Sequence, residues 1–429
     1  MHKTPERVDI VLFGATGVTG EYTAPYIYRL AKEKSLTWGV AGRSEQKLKD
    51  VLKKTADRVG VENLNDIPIF IADASNEGSI LKMTSRARVI VNCCGPFLKY
   101  GEVVVKNCVA SSTHHVDVSG EPYFHEIIHV KYSQAAEQKG VYLIIACGYD
   151  SVASDAALAF LTEKFQGTLN SMEIYVAHQS NETSHVNYGT WETAVNSLPQ
   201  TRKFFKLHKS RNLPSLPDVK PKLNLRLPFS KAKAINEPRK WITPVPSPDY
   251  YVIQRSQRYF YENDKKRPAQ VKFYLVTDSW IYILSAIFSG LLLLILCRFK
   301  FGRNLLLKYP EKFTNGYITR NRLKEEDIGS DIHMSFYGKG WSEEFDNVQY
   351  QSTIPPNKTV LAKLVVNNPG YKYTCLTSAL AAVTLLTETS KLRSNGGVLT
   401  PSVAFQKTTY MNEILRRSNP IEIIEMKDI

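Results

Sequence analysis

The sequence predicts an α/β protein in which an N-terminal doubly wound parallel sheet is followed by a second, mixed α/β domain that carries an apolar, membrane-type insert. Three observations lead there. Short β-rich runs alternate with helical patterns over residues 1–165, a glycine triplet stands between the first run and the first helix, and from about residue 170 the pattern changes to strands that alternate apolar and polar residues.

The β-rich runs are VDIVLF (8–13), LTWGVA (36–41), IPIFIA (67–72), ARVIVNC (87–93), HHVDV (114–118) and VYLIIA (141–146). Each is separated from the next by one helical stretch, which implies right-handed crossovers between parallel strands. The later runs SMEIYVAH, QVKFYLVTD, DIHMSFYGKGW and KTVLAKLVVN read as antiparallel strands of a second sheet, and 373–392 reads as one long, mostly apolar helix. The expected division is therefore 1–165 and 166–429. The second part is a substrate- or dimerisation-type domain containing a basic, Pro-rich loop at 200–248 and a hydrophobic segment at 279–297.

In VDIVLFGATGVTGEYTAPYI, Gly14, Gly17 and Gly20 have the spacing G-x-x-G-x-x-G between a strand and a helix. The first glycine permits a tight turn, the second lets a pyrophosphate approach the backbone, and the third lets the helix pack closely, while the helix N-terminus offers free N–H groups. With Ala15, Thr16 and Val18 they form the phosphate loop of a Rossmann unit. After the second strand, VAGRSEQKL presents Arg43 and Ser44 where NAD-preferring sites carry a carboxylate. A guanidinium and a hydroxyl suit a 2′-phosphate, so NADP(H) is the expected cofactor, although Arg43 stacked beside an adenine would suit either nucleotide. Asp73 is placed either to accept from the adenine amino group or to cap the next helix. Cys94, Gly95 and Pro96 shape the turn expected beside the nicotinamide ribose.

The six cysteines form no C-x-x-C pair, and four lie in or next to apolar runs, which favours reduced thiols over a disulfide framework. The opening MHKTPERVDI has no apolar core behind basic residues, so no cleaved secretory signal is expected. Residues 201–240 hold twelve Lys and Arg against Asp218 and Glu237, most of the formal net charge of +14. That stretch reads either as a solvated surface loop or as a basic segment drawn to anionic headgroups. No nucleic-acid recognition module accompanies it. HEIIH (125–129) matches H-E-x-x-H, but no third ligand follows at a useful spacing and the stretch also serves as a crossover helix, so no metal is expected.

Residues 279–297 contain no charge, and 19 residues of helix extend about 28 Å, close to the hydrocarbon thickness of a bilayer. Arg298, Lys300 and Arg303 follow, and Trp280 and Tyr282 stand at the other end as interfacial anchors. A simple crossing would divide the second domain between two sides of a membrane. A bent or in-plane anchor avoids this, and a helix buried in a soluble core is the competing reading.

The ordered set GATGVTG, AGRS, NCCGPF, DVSGE, GYDSVASD and GGVLTPSVAFQ resembles the saccharopine dehydrogenase-like oxidoreductases over nearly the whole chain. The resemblance implies an NADP-type Rossmann domain, a mixed α/β second domain, and a C-terminal segment that returns to the first. It also implies lipid-droplet or mitochondrial association and a link to lipid or glycolipid metabolism through relatives that look like trans-acting enoyl reductases. It does not make saccharopine the substrate. The expectation is an NADP(H)-dependent oxidoreductase facing the cytosol at a membrane or lipid droplet, with a lipid-like substrate and with Tyr149, Asp150 and Ser151 as candidates for proton transfer. Helix capping is the other account of Ser151 and Ser154. A non-catalytic NADPH-binding scaffold or redox sensor is the competing function, and the oligomeric state, a homodimer included, stays open.

Overall fold

The computed structural model describes residues 7–180, 186–314, 316–320, 330–345, 352 and 354–429. In chain order the first half runs β1 (Val8–Phe13), α1 (Val18–Lys34), β2 (Trp38–Gly42), α2 (Glu45–Val59), β3 (Ile69–Ile71), α3 (Glu77–Thr84), β4 (Ala87–Asn92), α4 (Phe97–Ala110), β5 (His114–Asp117), α5 (Pro122–Gln138), β6 (Tyr142–Ile144) and α6 (Tyr149–Lys164). The middle adds β7 (Thr168–Ser180), β8 (Val186–Asn187), α7 (Tyr188–Ser197), α8 (Thr201–Ser210), β9 (Ser230–Ala232), β10 (Glu237–Pro244), α9 (Asp249–Asp264), β11 (Gln270–Thr277), α10 (Trp280–Arg298), α11 (Lys300–Lys308) and α12 (Pro310–Phe313). The remainder is β12 (Ile318–Thr319), β13 (Ser330–Trp341), β14 (Lys358–Asn367), α13 (Thr374–Thr387), β15 (Gly397–Leu399), α14 (Pro401–Ala404), α15 (Tyr410–Arg417) and β16 (Glu422–Asp428).

Two compact units result. The first comprises residues 1–152, 200–211 and 370–414, and the second 153–199, 212–369 and 415–429. Both are discontinuous along the chain, in contrast to the contiguous division at residue 165.

The first unit is built on a seven-stranded parallel sheet in the order β15-β6-β5-β4-β1-β2-β3. Chain direction across the sheet reverses between β1 and β4, the switch point where doubly wound folds leave a crevice at the carboxyl ends of the strands. The strands are apolar on both faces because helices cover both, and Ile10, Val11, Leu12, Val89, Ile90 and Val91 are fully buried. Helix α13 packs along α1, and Thr377 to Leu385 are buried in continuous sequence, as the apolar run requires. It is shorter than expected: it starts after a π-helical turn at Pro369–Tyr373 and ends at Thr387.

The second unit holds a mixed sheet in the order β16-β14-β13-β7-β11-β10-β9. Pairs β7·β13 and β13·β14 are antiparallel as expected, but β7 and β11 pair in parallel. Alternation reports which face of a strand is buried and says nothing of a neighbour's direction, which the intervening elements set. The stretch read as a loop at 200–248 also needs correction, because it contributes α8 and the strands β9 and β10.

Helix α10 is continuous and almost bare. Only Ile283 and Cys297 are buried, while Ile281, Leu284, Phe288, Leu291, Leu294 and Ile295 are exposed, Phe288 by 69%. The reading as a buried core helix is thereby excluded. Its last turn is seated in a small cluster with Trp191, Val195, Leu306 and Ile318, and the Arg303 guanidinium donates to the Cys297 carbonyl at 2.8 Å, closing the helix C-terminus.

Candidate functional site

Every loop predicted to hold a ligand lies at the carboxyl edge of the parallel sheet. Gly14 has φ +79°, a conformation open to glycine, and a Cβ there would stand 2.9 Å from the backbone of Cys93 and of Cys94. The glycine turn after β1 and the NCCGPF loop after β4 are therefore in direct contact across the switch point. A Cβ on Gly20 would stand 2.3 Å from the Gly14 carbonyl oxygen, so the third glycine lets α1 begin against the turn.

The turn closes on itself through the Gly17 N–H to the Gly14 carbonyl (3.0 Å) and is tied to β2 by the Gly14 N–H to Ala41 (3.1 Å). Gly17 caps α1 without any side-chain hydrogen bond. The amides of Thr16, Val18 and Thr19 consequently have no acceptor among the described residues, and they are donors of the kind that phosphate oxygens take at a helix N-terminus. Ala15 is buried beneath them. These features fit a dinucleotide pyrophosphate.

Arg43 is exposed after β2. Burial pushes the Cys94 thiol above its ordinary value, with the Arg43 charge opposing and the Asp73 charge adding to the shift, so the three predicted residues share one neighbourhood. Ser44 accepts the Lys47 N–H at 3.4 Å as the cap of α2, which leaves its hydroxyl proton available to a phosphate. The capping account of Asp73 fails, because Asn76 caps α3 through the Ser79 N–H. Asp73 instead accepts the Ser75 N–H with Oδ1 alone.

Sequence reasoning missed the network that shapes the Cys94–Gly95–Pro96 turn. The Asn92 side chain accepts the Cys94 N–H (3.0 Å), and the buried Glu121 carboxylate accepts both the Phe97 N–H (2.7 Å) and the Leu98 N–H (3.0 Å) at the start of α4. Those two bonds are charge-assisted and face the positive end of the helix. Asp117 Oδ1 receives the Ser119 N–H, the Ser119 hydroxyl and the Ala146 N–H, joining the loops after β5 and β6. Its Oδ2 lies 3.7 Å from His115 Nδ1. Burial holds His115 below its ordinary value against the pull of Asp117, so the imidazole is neutral. The only signal for these residues is the acid at the end of the fifth strand and the one closing DVSGE.

Tyr149, Asp150 and Ser151 occupy the first turn of α6. Ser151 and Ser154 lie inside that helix, so neither caps it. Asp150 keeps an exposed surface, yet desolvation by the surrounding protein raises its carboxyl to about 6. The Tyr149 N–H donates to Thr374 Oγ1 (3.0 Å), and its ring stands edge-on to Tyr373. In HEIIH, His125 meets the Ser119 hydroxyl at 2.8 Å, and Glu126 is committed to Arg211 (3.1 Å) and His208 (3.3 Å). No group of three potential metal ligands occurs among the described residues. A groove of about 660 Å³ lined by Arg7, Asp9, Lys32 and Trp38 opens at the opposite, amino edge of the sheet and takes no part in this arrangement.

A doubly wound sheet with a glycine turn of unsatisfied amides at its switch point defines a dinucleotide-binding unit. The family model described as the saccharopine dehydrogenase NADP-binding domain matches residues 10–144. The saccharopine dehydrogenase-like oxidoreductase of Rattus norvegicus is 33% identical over 98% of both chains, and the lipid droplet localized protein of Caenorhabditis elegans is 32% identical over 93% of this chain and 94% of that one. The chain belongs to the saccharopine dehydrogenase-like oxidoreductases and is NAD(P)-dependent, with an NADP-binding domain. Among solved structures, saccharopine dehydrogenase (L-Glu forming) of Saccharomyces cerevisiae shares the fold with a TM-score of 0.55 at 12% identity, covering 98% of this chain and all of that one.

Proposed function

We propose that this oxidoreductase works at a lipid surface on an apolar, lipid-like substrate, anchored by α10 lying in the interface. The observation that carries this reading is the uncovered apolar surface of α10, 19 residues with two buried. The name of the C. elegans relative supports it. A full crossing is disfavoured because β11, before the helix, and β13, after it, belong to one sheet with only β7 between them.

Bound NADPH supplies a hydride. The chain's part is to hold the pyrophosphate on the Thr16, Val18 and Thr19 amides, to meet the 2′-phosphate with Arg43 and Ser44, and to seat the nicotinamide ribose beside Cys94–Pro96. Asp150, whose carboxyl is raised to about 6, is our proton donor to the reduced substrate.

The test is NADPH oxidation by the full chain with fractionated lipid extract, for the wild type and Asp150→Asn. Turnover confined to lipid fractions and lost in the variant supports the proposal. NADPH binding without turnover in any fraction would favour the scaffold or sensor. Protease added to intact droplets should cut both ends of the chain, and protection of one end would refute the in-plane anchor.

A further inference from the structure

Helix α8 carries a feature that the oxidoreductase reading does not use. It belongs to the first unit and is clamped there, with Phe204 buried, and with Arg211 and His208 bound to the buried Glu126 of α5. At 100° per residue, Arg202, Lys206 and Lys209 follow at i, i+4 and i+7 and fall at the centre of the opposite face, with Lys203 on one flank and Phe205 on the other. All five are exposed, Phe205 by 52%. None of the four cations has an acidic partner among the described residues, and the helix contains no acid. Ordinary basic surface helices are interleaved with carboxylates; this one presents four cations that no acid among the described residues pairs, on a rigid mount about 15 Å long.

We infer that α8 is a second membrane contact, by which the nucleotide-binding unit itself docks onto anionic lipid headgroups. The cations match a negatively charged surface, and the apolar ring at their border suits insertion among headgroups, which a duplex or an acidic protein surface would not repay. This inference rests on the lipid-surface reading and adds that the surface must be charged. The α10 anchor needs only apolar lipid, whereas α8 discriminates by headgroup.

The experiment is flotation of the full chain with vesicles of neutral phosphatidylcholine and with vesicles containing phosphatidylserine, for the wild type, Arg202→Gln/Lys206→Gln/Lys209→Gln, and Phe205→Ser. Each basic residue near an anionic surface contributes about fivefold, so the triple variant should lose roughly a hundredfold in affinity for anionic vesicles and nothing for neutral ones. Raised salt should reproduce the loss in the wild type. Phe205→Ser should weaken binding with the headgroup preference retained. Equal wild-type affinity for both vesicle types would overturn the α8 contact and leave the α10 anchor standing. Failure to bind either vesicle would overturn the lipid-surface reading itself. Binding of a single-stranded RNA that the triple variant loses, without any anionic-lipid preference, would overturn the inference in favour of nucleic acid.

Discussion

Gly20→Ala tests whether the contact between α1 and the glycine turn is as tight as it looks. The new Cβ would lie 2.3 Å from the Gly14 carbonyl oxygen, 2.8 Å from Ala15 Cα and 2.9 Å from the Gly14 carbonyl carbon. An ordinary contact is about 3.5 Å, so helix and turn must separate by about 1 Å, and every opposing atom is backbone, with no side chain able to rotate away. Overpacking of this kind costs up to about 3 kcal/mol, against a gain of about 1 kcal/mol from replacing glycine inside a helix, leaving roughly 2 kcal/mol of destabilisation. For a unit of this size that is a fall of about 4–8 °C in melting temperature. The same movement displaces the Thr16 and Val18 amides, so NADPH affinity should fall about tenfold or more, read by nucleotide fluorescence titration. Gly78→Ala is the control: in the first turn of α3 its Cβ meets only Asn76 Oδ1 at 3.5 Å, and it should melt no lower than the wild type. A Gly20→Ala protein with unchanged melting and unchanged NADPH affinity would refute the reasoning.

Arg43→Asp should lower NADPH affinity while sparing or improving that for NADH, since a carboxylate repels the 2′-phosphate and accepts from ribose hydroxyls; parallel titrations with an unchanged preference would remove Arg43 from the site. Glu121→Ala strips two charge-assisted bonds from the buried start of α4 and should cost about 3 kcal/mol or more, measured by chemical denaturation, with Glu121→Gln recovering part of it. Burial lowers His114 from 6.5 to about 4, and its Nδ1 accepts the Tyr142 N–H at 3.1 Å. The unfolded chain therefore binds the extra proton first as pH falls, so stability should decline between about pH 6.5 and 4, and His114→Gln should flatten that slope in a series of melts.

The legible parts of the fold are those written locally. Six apolar runs with a helix after each leave little choice but a parallel sheet, and a glycine turn at the first crossover marks its ligand edge. Other features depend on partners far along the chain. Strand β15 has three residues and pairs with β6, more than 250 positions earlier, so its periodicity marks no strand and only the resemblance carried by GGVLTPSVAFQ implies its return to the first sheet. The sequence EPRKWITP of β10 hides a strand behind proline and charge, and α8 hides within a stretch whose basic composition suggests a loop. In the candidate site, the glycine turn could be read because its backbone conformation is tied to a motif, and the same motif is what puts Arg43 forward for the 2′-phosphate. Asn92, Asp117 and Glu121 could not, because a buried carboxylate looks like any other acid until the amides it receives are brought to it by folding.

The separation of β6 from β15 also sets an order of events during synthesis. When Ile144 leaves the ribosome, the parallel sheet has an open edge at β6, and neither α13 nor β15 yet exists. At about 5–20 residues per second, roughly 10–50 s pass before Gly397 emerges to close it. Within that interval α10 is made and becomes available to lipid. Under the anchoring proposed for α10, the apolar helix is ready to meet a lipid surface before the nucleotide-binding unit is whole, and the last strand of the sheet is added afterwards.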